Sequence, residues 1–154
     1  RRGDAGRAQS ACTQALAIGL PEEFRPKAQR DLAQLTKREG KHERAAEIWE
    51  ELVDDPQDGV HACEQLAIHY ERRAGDVARA IEYAKLGLQK IRGLHCTALR
   101  VALRDPYLAA KLTRMEKKFT KRLTRLERKS LRPFEARRLG LQGASERKAK
   151  PGLW

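Results

Sequence analysis

The sequence predicts an all-α protein built as a stack of helical hairpins, and three observations predict it. A short phrase recurs: Gly3-Asp4-Ala5-Gly6-Arg7-Ala8, Gly40-Lys41-His42-Glu43-Arg44-Ala45 and Gly75-Asp76-Val77-Ala78-Arg79-Ala80 each open on Gly and close on Arg-Ala. The closing alanines stand 37 and 35 residues apart, a period at which helical hairpins stack and each unit buries its face only against its neighbours. Between the phrases, apolar residues recur at spacings of three and four, which places them on one side of a helix. Such a stack needs no large central core. That suits a chain of 154 residues with 5% aromatic and 35% charged side chains, a length that suggests one domain.

Asp4 to Gly19 reads as the first helix, with Ala8, Cys12, Ala15 and Leu16 on one face. Leu20-Pro21 ends it, because the residue before Pro avoids the α conformation. A second hairpin runs from about Glu22 to Asp54. Phe24, Ala28, Leu32 and Leu35 mark the apolar face of its first helix, and Pro26 requires a place in the first turn, where amide donors are free anyway. Gly40 suits the left-handed position that closes a helix. The next helix then buries Ala45, Ile48, Trp49 and Leu52, and Asp54 to Gly59 is a turn cluster.

The third hairpin spans Val60 to Ile91, with Cys63, Leu66, Ala67 and Tyr70 on its first helix and Ala80, Ile81, Ala84 and Leu88 on its second. Its turn is one residue longer: Leu66 to Ala80 is 14 positions, Leu32 to Ala45 is 13. Arg92-Gly93 reads as a break, followed by a short helix from Leu94 to Arg104. Asp105-Pro106 then opens the longest helix, with Asp as cap and Pro at the first position, running to about Ser130. After Pro133 no period is sustained, and Gly140 to Trp154 is expected to be mostly disordered.

Charge is distributed unevenly. Residues 1–110 hold 18 Lys/Arg against 17 Asp/Glu, whereas residues 111–154 hold 15 against 4. Nearly all of the net charge of +12 therefore belongs to the C-terminal part, which suggests an anionic partner there. No apolar run approaches the roughly 18–20 residues of a membrane span, and no membrane partner is expected because the apolar seam of the long helix is more simply used to cap the repeat stack. No apolar stretch follows Arg1-Arg2-Gly3, so no signal peptide is read. Cys12, Cys63 and Cys96, odd in number and scattered, suit thiols in a reducing compartment, and a cytoplasmic location is expected. The chain has no initiator Met and opens inside a repeat phrase, so we expect a fragment of a longer protein.

Gly40, Ala45, Trp49 and Leu52, and likewise Gly3, Ala8, Cys12, Ala15 and Gly75, Ala80, Ala84, Gly87, resemble the tetratricopeptide repeat, with Leu32-Ala33 where that family has Leu-Gly and Leu20-Pro21 like its closing Pro. The large Trp and Tyr of the family's first helix are missing. The resemblance covers about residues 1–91, about two and a half repeats; the residue pattern adds a short helix and a long basic capping helix over 92–131 and a basic, mostly disordered tail over 132–154. A narrower resemblance rests on Leu35 to Gly40, Ala46 to Leu52, Leu66 to Arg73 and Arg122 to Lys129. These look like the helical C-terminal region of bacterial ribonuclease-H-like, exonuclease-type proteins. In that family a metal-dependent nuclease domain precedes the repeats; the sequence holds no acidic cluster of that kind, so any nuclease activity would belong to a preceding domain.

Two surfaces are candidate sites. In the long helix, Leu108, Leu112, Met115, Phe119, Leu123 and Leu126 share one face. Lys111, Arg114, Lys118, Lys121, Arg125 and Arg128 form a second, which would attract a phosphate backbone. Its plainer reading is the solvated outer face of a capping helix. The tetratricopeptide resemblance implies a groove lined by Lys27, Arg30, Gln34, Lys37 and Arg38 from one hairpin and His61, Glu64, Ile68, Glu71 and Arg72 from the next, suited to a peptide carboxylate or acidic segment.

Other motifs point to no chemistry. His61 and Cys63 are two apart and His95 and Cys96 adjacent, which puts neither pair on one helix face, and there is no Cys-x-x-Cys pair, so no metal or cofactor is expected. Arg2-Gly3-Asp4 spells an adhesion tripeptide but reads as a repeat turn. With no Gly-rich phosphate loop and no nucleophile elbow, the sequence reads as a non-catalytic protein-interaction or scaffold module, the C-terminal part of a nucleic-acid-processing protein. The alternative is direct nucleic-acid binding through the basic helix and tail.

Overall fold

A computed structural model describes the backbone of residues 2–101 and 106–138, with side chains over 6–94 and 106–131. Among these residues the protein is all-helical and contains no strand: α1 Arg2–Ile18, α2 Arg25–Arg38, α3 His42–Glu51, α4 Gly59–His69, α5 Val77–Val101 and α6 Pro106–Arg138, with a π-helical turn, Tyr70–Ala74, at the end of α4. No described helix is long and apolar enough to cross a membrane. Each helix packs on the next in chain order, from α1 on α2 to α5 on α6.

Helices form over the second and third segments where the sequence places them: α2, α3, α4 and the first part of α5. Pro26 lies in the first turn of α2, where its missing N–H costs nothing. Gly40 closes α2 with φ 86°, a value that a side chain would strain. The Gly40 amide donates to the Lys37 carbonyl at 3.1 Å and the Lys41 amide to that of Thr36 at 3.2 Å, the paired bonds of a Schellman closure. The next turn is organised by Asp55, whose Oδ1 accepts from the amides of Gln57 at 2.8 Å and Asp58 at 2.6 Å. The core draws on every helix from α2 to α6. Ala33, Ala45, Trp49, Leu52, Leu66, Ala84, Ile91, Phe119 and Leu126 are each at most 2% exposed, and alanines at the helix contacts let the backbones approach.

The extra residue of the third hairpin is taken up by the π turn, whose wider i→i+5 ring absorbs one residue without breaking the helix. Gly75, with φ 70°, follows it.

Five sequence expectations change. Gly3 lies inside the first turn of α1, not at an elbow; the left-handed glycine that ends α1 is Gly19, φ 96°. Ala8 is exposed, and the half-buried side of α1 is Gln9, Cys12, Ala15 and Leu16. Arg92-Gly93 breaks nothing: α5 runs through to Val101, since one Gly costs a helix only about 1 kcal/mol and packing along α6 offsets it. Helix α6 passes Pro133 and reaches Arg138. In α2 the contact face is centred on Ala33 and Thr36, while Phe24 stays 52% exposed at its N-terminal end. The expected cap Asp105 and the expected disordered stretch Gly140 to Trp154 lie outside the described residues.

Candidate functional site

The basic face of α6 is set by what the opposite face buries. Leu112, Phe119 and Leu126 are buried and Leu108, Met115 and Leu123 half-buried, so the six-residue seam is the contact with the rest of the protein. The helix period then turns Lys111, Arg114, Lys118, Lys121, Arg125 and Arg128 outward, and all six are exposed. Arg125 donates to Glu71 Oε2 at 2.6 Å. None of the other five forms an ion pair with a described residue. Tyr107, 80% exposed, extends the same stripe by one step, four residues before Lys111. From Tyr107 to Arg128 the stripe spans roughly 30 Å at about 1.5 Å per residue.

Arg122, which the sequence reading left off this stripe, turns inward. Its guanidinium reaches Glu71 Oε2 at 3.2 Å, with side-chain exposures of 17% and 10%. Burial holds Arg122 below the usual guanidinium range, opposed by the Glu71 charge. Glu71 belongs to the π turn, so Arg122 and Arg125 fasten α6 to that irregular segment.

The α2–α4 surface is largely paired within itself. Arg30 Nη1 meets Asp58 Oδ1 at 2.9 Å. The Gln34 amide lies 3.2 Å from His61 Nε2, and Lys37 Nζ donates to Gln65 Oε1 at 2.6 Å. These contacts bring Arg30, Gln34, Lys37 and His61 together as the sequence reading expects, but they spend most of the polar groups on joining α2 to α4. His61 also stands edge-on to Trp49, ring centroids 5.1 Å apart, and 4.0 Å from Glu64. Burial pulls its imidazole below the ordinary range, against the pull of Glu64 and Asp58. Lys27, Arg38 and Arg72 remain exposed.

The two surfaces meet. Arg30, Gln34, Asp58 and His61 line a depression of about 540 Å³ together with Lys111, Leu112 and Met115 of α6, so the α2–α4 surface adjoins the basic helix. A separate, smaller cleft collects Lys37 and Arg72 with His42, His69 and Arg73, which the sequence reading did not select. These belong to elements brought together by the Gly40 elbow and the π turn, and no spacing in the sequence announces them. Among the described residues no three His, Cys, Asp or Glu side chains are grouped to hold a metal ion.

Compared with protein-family models, curated proteins and solved structures, the chain matches none of them.

Proposed function

We propose that the chain is a non-catalytic interaction module, a tetratricopeptide-like stack closed by α6, that serves as the helical part of a larger nucleic-acid-processing protein, and that α6 is the surface meeting nucleic acid. The observation that carries this reading is the outward stripe of Lys111, Arg114, Lys118, Lys121 and Arg128, exposed and unpaired among the described residues. Cations without a local counter-charge bind phosphates and release condensed counterions. Tyr107 at the head of the stripe offers a ring on which a base can stack. The stack reading draws support from the left-handed glycines after α1, α2 and the π turn and from the chain-order packing.

The second reading, an acidic peptide on the α2–α4 surface, keeps Lys27, Arg38 and Arg72 as its exposed cations. It is the weaker one because Arg30 is committed to Asp58 and Gln34 to His61. The test is fluorescence anisotropy of a labelled random-sequence oligonucleotide, single-stranded and duplex. The triple variant Arg114→Glu, Lys118→Glu, Lys121→Glu should lose binding, while Lys27→Glu, Arg38→Glu keeps it. Unchanged affinity in the triple variant would overturn the reading.

A further inference from the structure

A cleft of about 170 Å³ opens between the end of α2, one face of α3 and the α4–π-turn segment. The short side chains Ala45 and Ala46 of α3 leave the space, which would hold roughly five or six waters at about 30 Å³ each. Its polar lining consists of Lys37, Arg72, Arg73, His42, His69 and Gln65, and includes no carboxylate. Trp49 forms part of the same wall, so its indole N–H signal reports on the cleft. The mouth is shaped by the π turn, which presents the consecutive Arg72 and Arg73, both exposed. Single π turns recur at functional sites.

We infer that this cleft binds a compact oxyanion, a phosphate group or a carboxylate, with Lys37, Arg72 and Arg73 supplying positive charge. Two features converge on that chemistry: cationic side chains from two separate elements, α2 and the π turn, and a lining without a carboxylate. Charge-assisted bonds from guanidinium and ammonium groups are the strong ones for such a ligand. No residue of α6 lines the cleft, so this site is separate from the proposed nucleic-acid surface, and either can fail without the other.

The test is nuclear magnetic resonance on the full chain, following the two indole N–H signals, assigned with Trp154→Phe. Inorganic phosphate and acetate are titrated in parallel at constant ionic strength. The Trp49 signal should shift and saturate with at least one of them while the Trp154 signal moves no more than in chloride. Saturation by phosphate alone identifies a phosphate site, and saturation by acetate alone a carboxylate site. Arg72→Gln with Arg73→Gln, both exposed positions, should weaken the response by about tenfold, and Lys118→Glu with Lys121→Glu should leave it unchanged. A Trp49 signal that follows neither anion, or a wild-type titration in the Arg72→Gln, Arg73→Gln variant, overturns the site.

Discussion

The Phe119 ring of α6 stands directly over Gly87 of α5. A Cβ added at Gly87 would lie 2.6 Å from Phe119 Cζ and 3.0 Å from Cδ1, and Phe119 is itself only 2% exposed. The glycine in the middle of α5 is thus the socket for the central side chain of the α6 seam.

Gly87→Ala therefore sets two effects against each other. Helix propensity favours Ala by about 1 kcal/mol, and overpacking a filled contact costs about 1–3 kcal/mol. The clash is with a ring locked into the core, so the variant should be destabilised on balance, by up to about 2 kcal/mol in denaturant unfolding. Adding Phe119→Leu to it should cost less than the two single effects combined. A stabilised Gly87→Ala would show that Phe119 is not seated there.

Glu71 joins the π turn to α6 through Arg122 and Arg125. Removing the carboxylate leaves the Arg122 guanidinium, 17% exposed, without its partner. Glu71→Ala should cost about 1.5–3 kcal/mol, and most of that loss should vanish in an Arg122→Ala background. Equal losses in both backgrounds would contradict the pairing.

Burial pulls the imidazoles of His61 and His69 below the usual histidine range. The unfolded chain therefore takes up protons first as pH falls through about 6.5, and the folded state loses stability from there downward. Above about pH 7.5 both states are neutral at these sites and the effect disappears. Urea midpoints should fall between about pH 7.5 and 5.5, less so in His61→Gln. A midpoint that rises on acidification would reverse the sign of the argument.

Cys63 is buried and its thiol is pushed up to about 11, mainly by desolvation. Cys12 is only half-buried. Because the thiolate is the reacting species, a maleimide or disulfide reagent near neutral pH should label Cys12 well before Cys63 in the folded protein, with the difference erased by denaturant. Equal rates in the native state would mean that the α4 face is open.

The parts legible in the sequence were those with local causes. Gly40 and Gly75 announce themselves because helix closure requires a left-handed residue, and the α6 seam because its period is unbroken from Leu108 to Leu126. Gly3 misled because a Gly near a helix start has the same neighbours as one at an elbow, and the true closing residue, Gly19, lacks the rest of the phrase. Gly93 and Pro133 read as stops because tertiary packing, which lets a helix run through them, leaves no local mark. The fates of Arg122 and Lys37 were hidden for a similar reason: partners 51 and 28 residues away decide them. The cleft around Trp49 was invisible because its lining comes from α2, α3, α4 and the π turn together.

The most direct measurement of the account is the salt dependence of oligonucleotide binding. If the five unpaired cations of α6 each neutralise a phosphate, log Kobs against log salt for a single strand should be linear with a slope of about −3 to −4, at about −0.7 per contact. The slope should become shallower by about 1.5 in Lys118→Glu, Lys121→Glu. Absence of binding at low salt, or a slope near zero that the charge reversals leave unchanged, would contradict it.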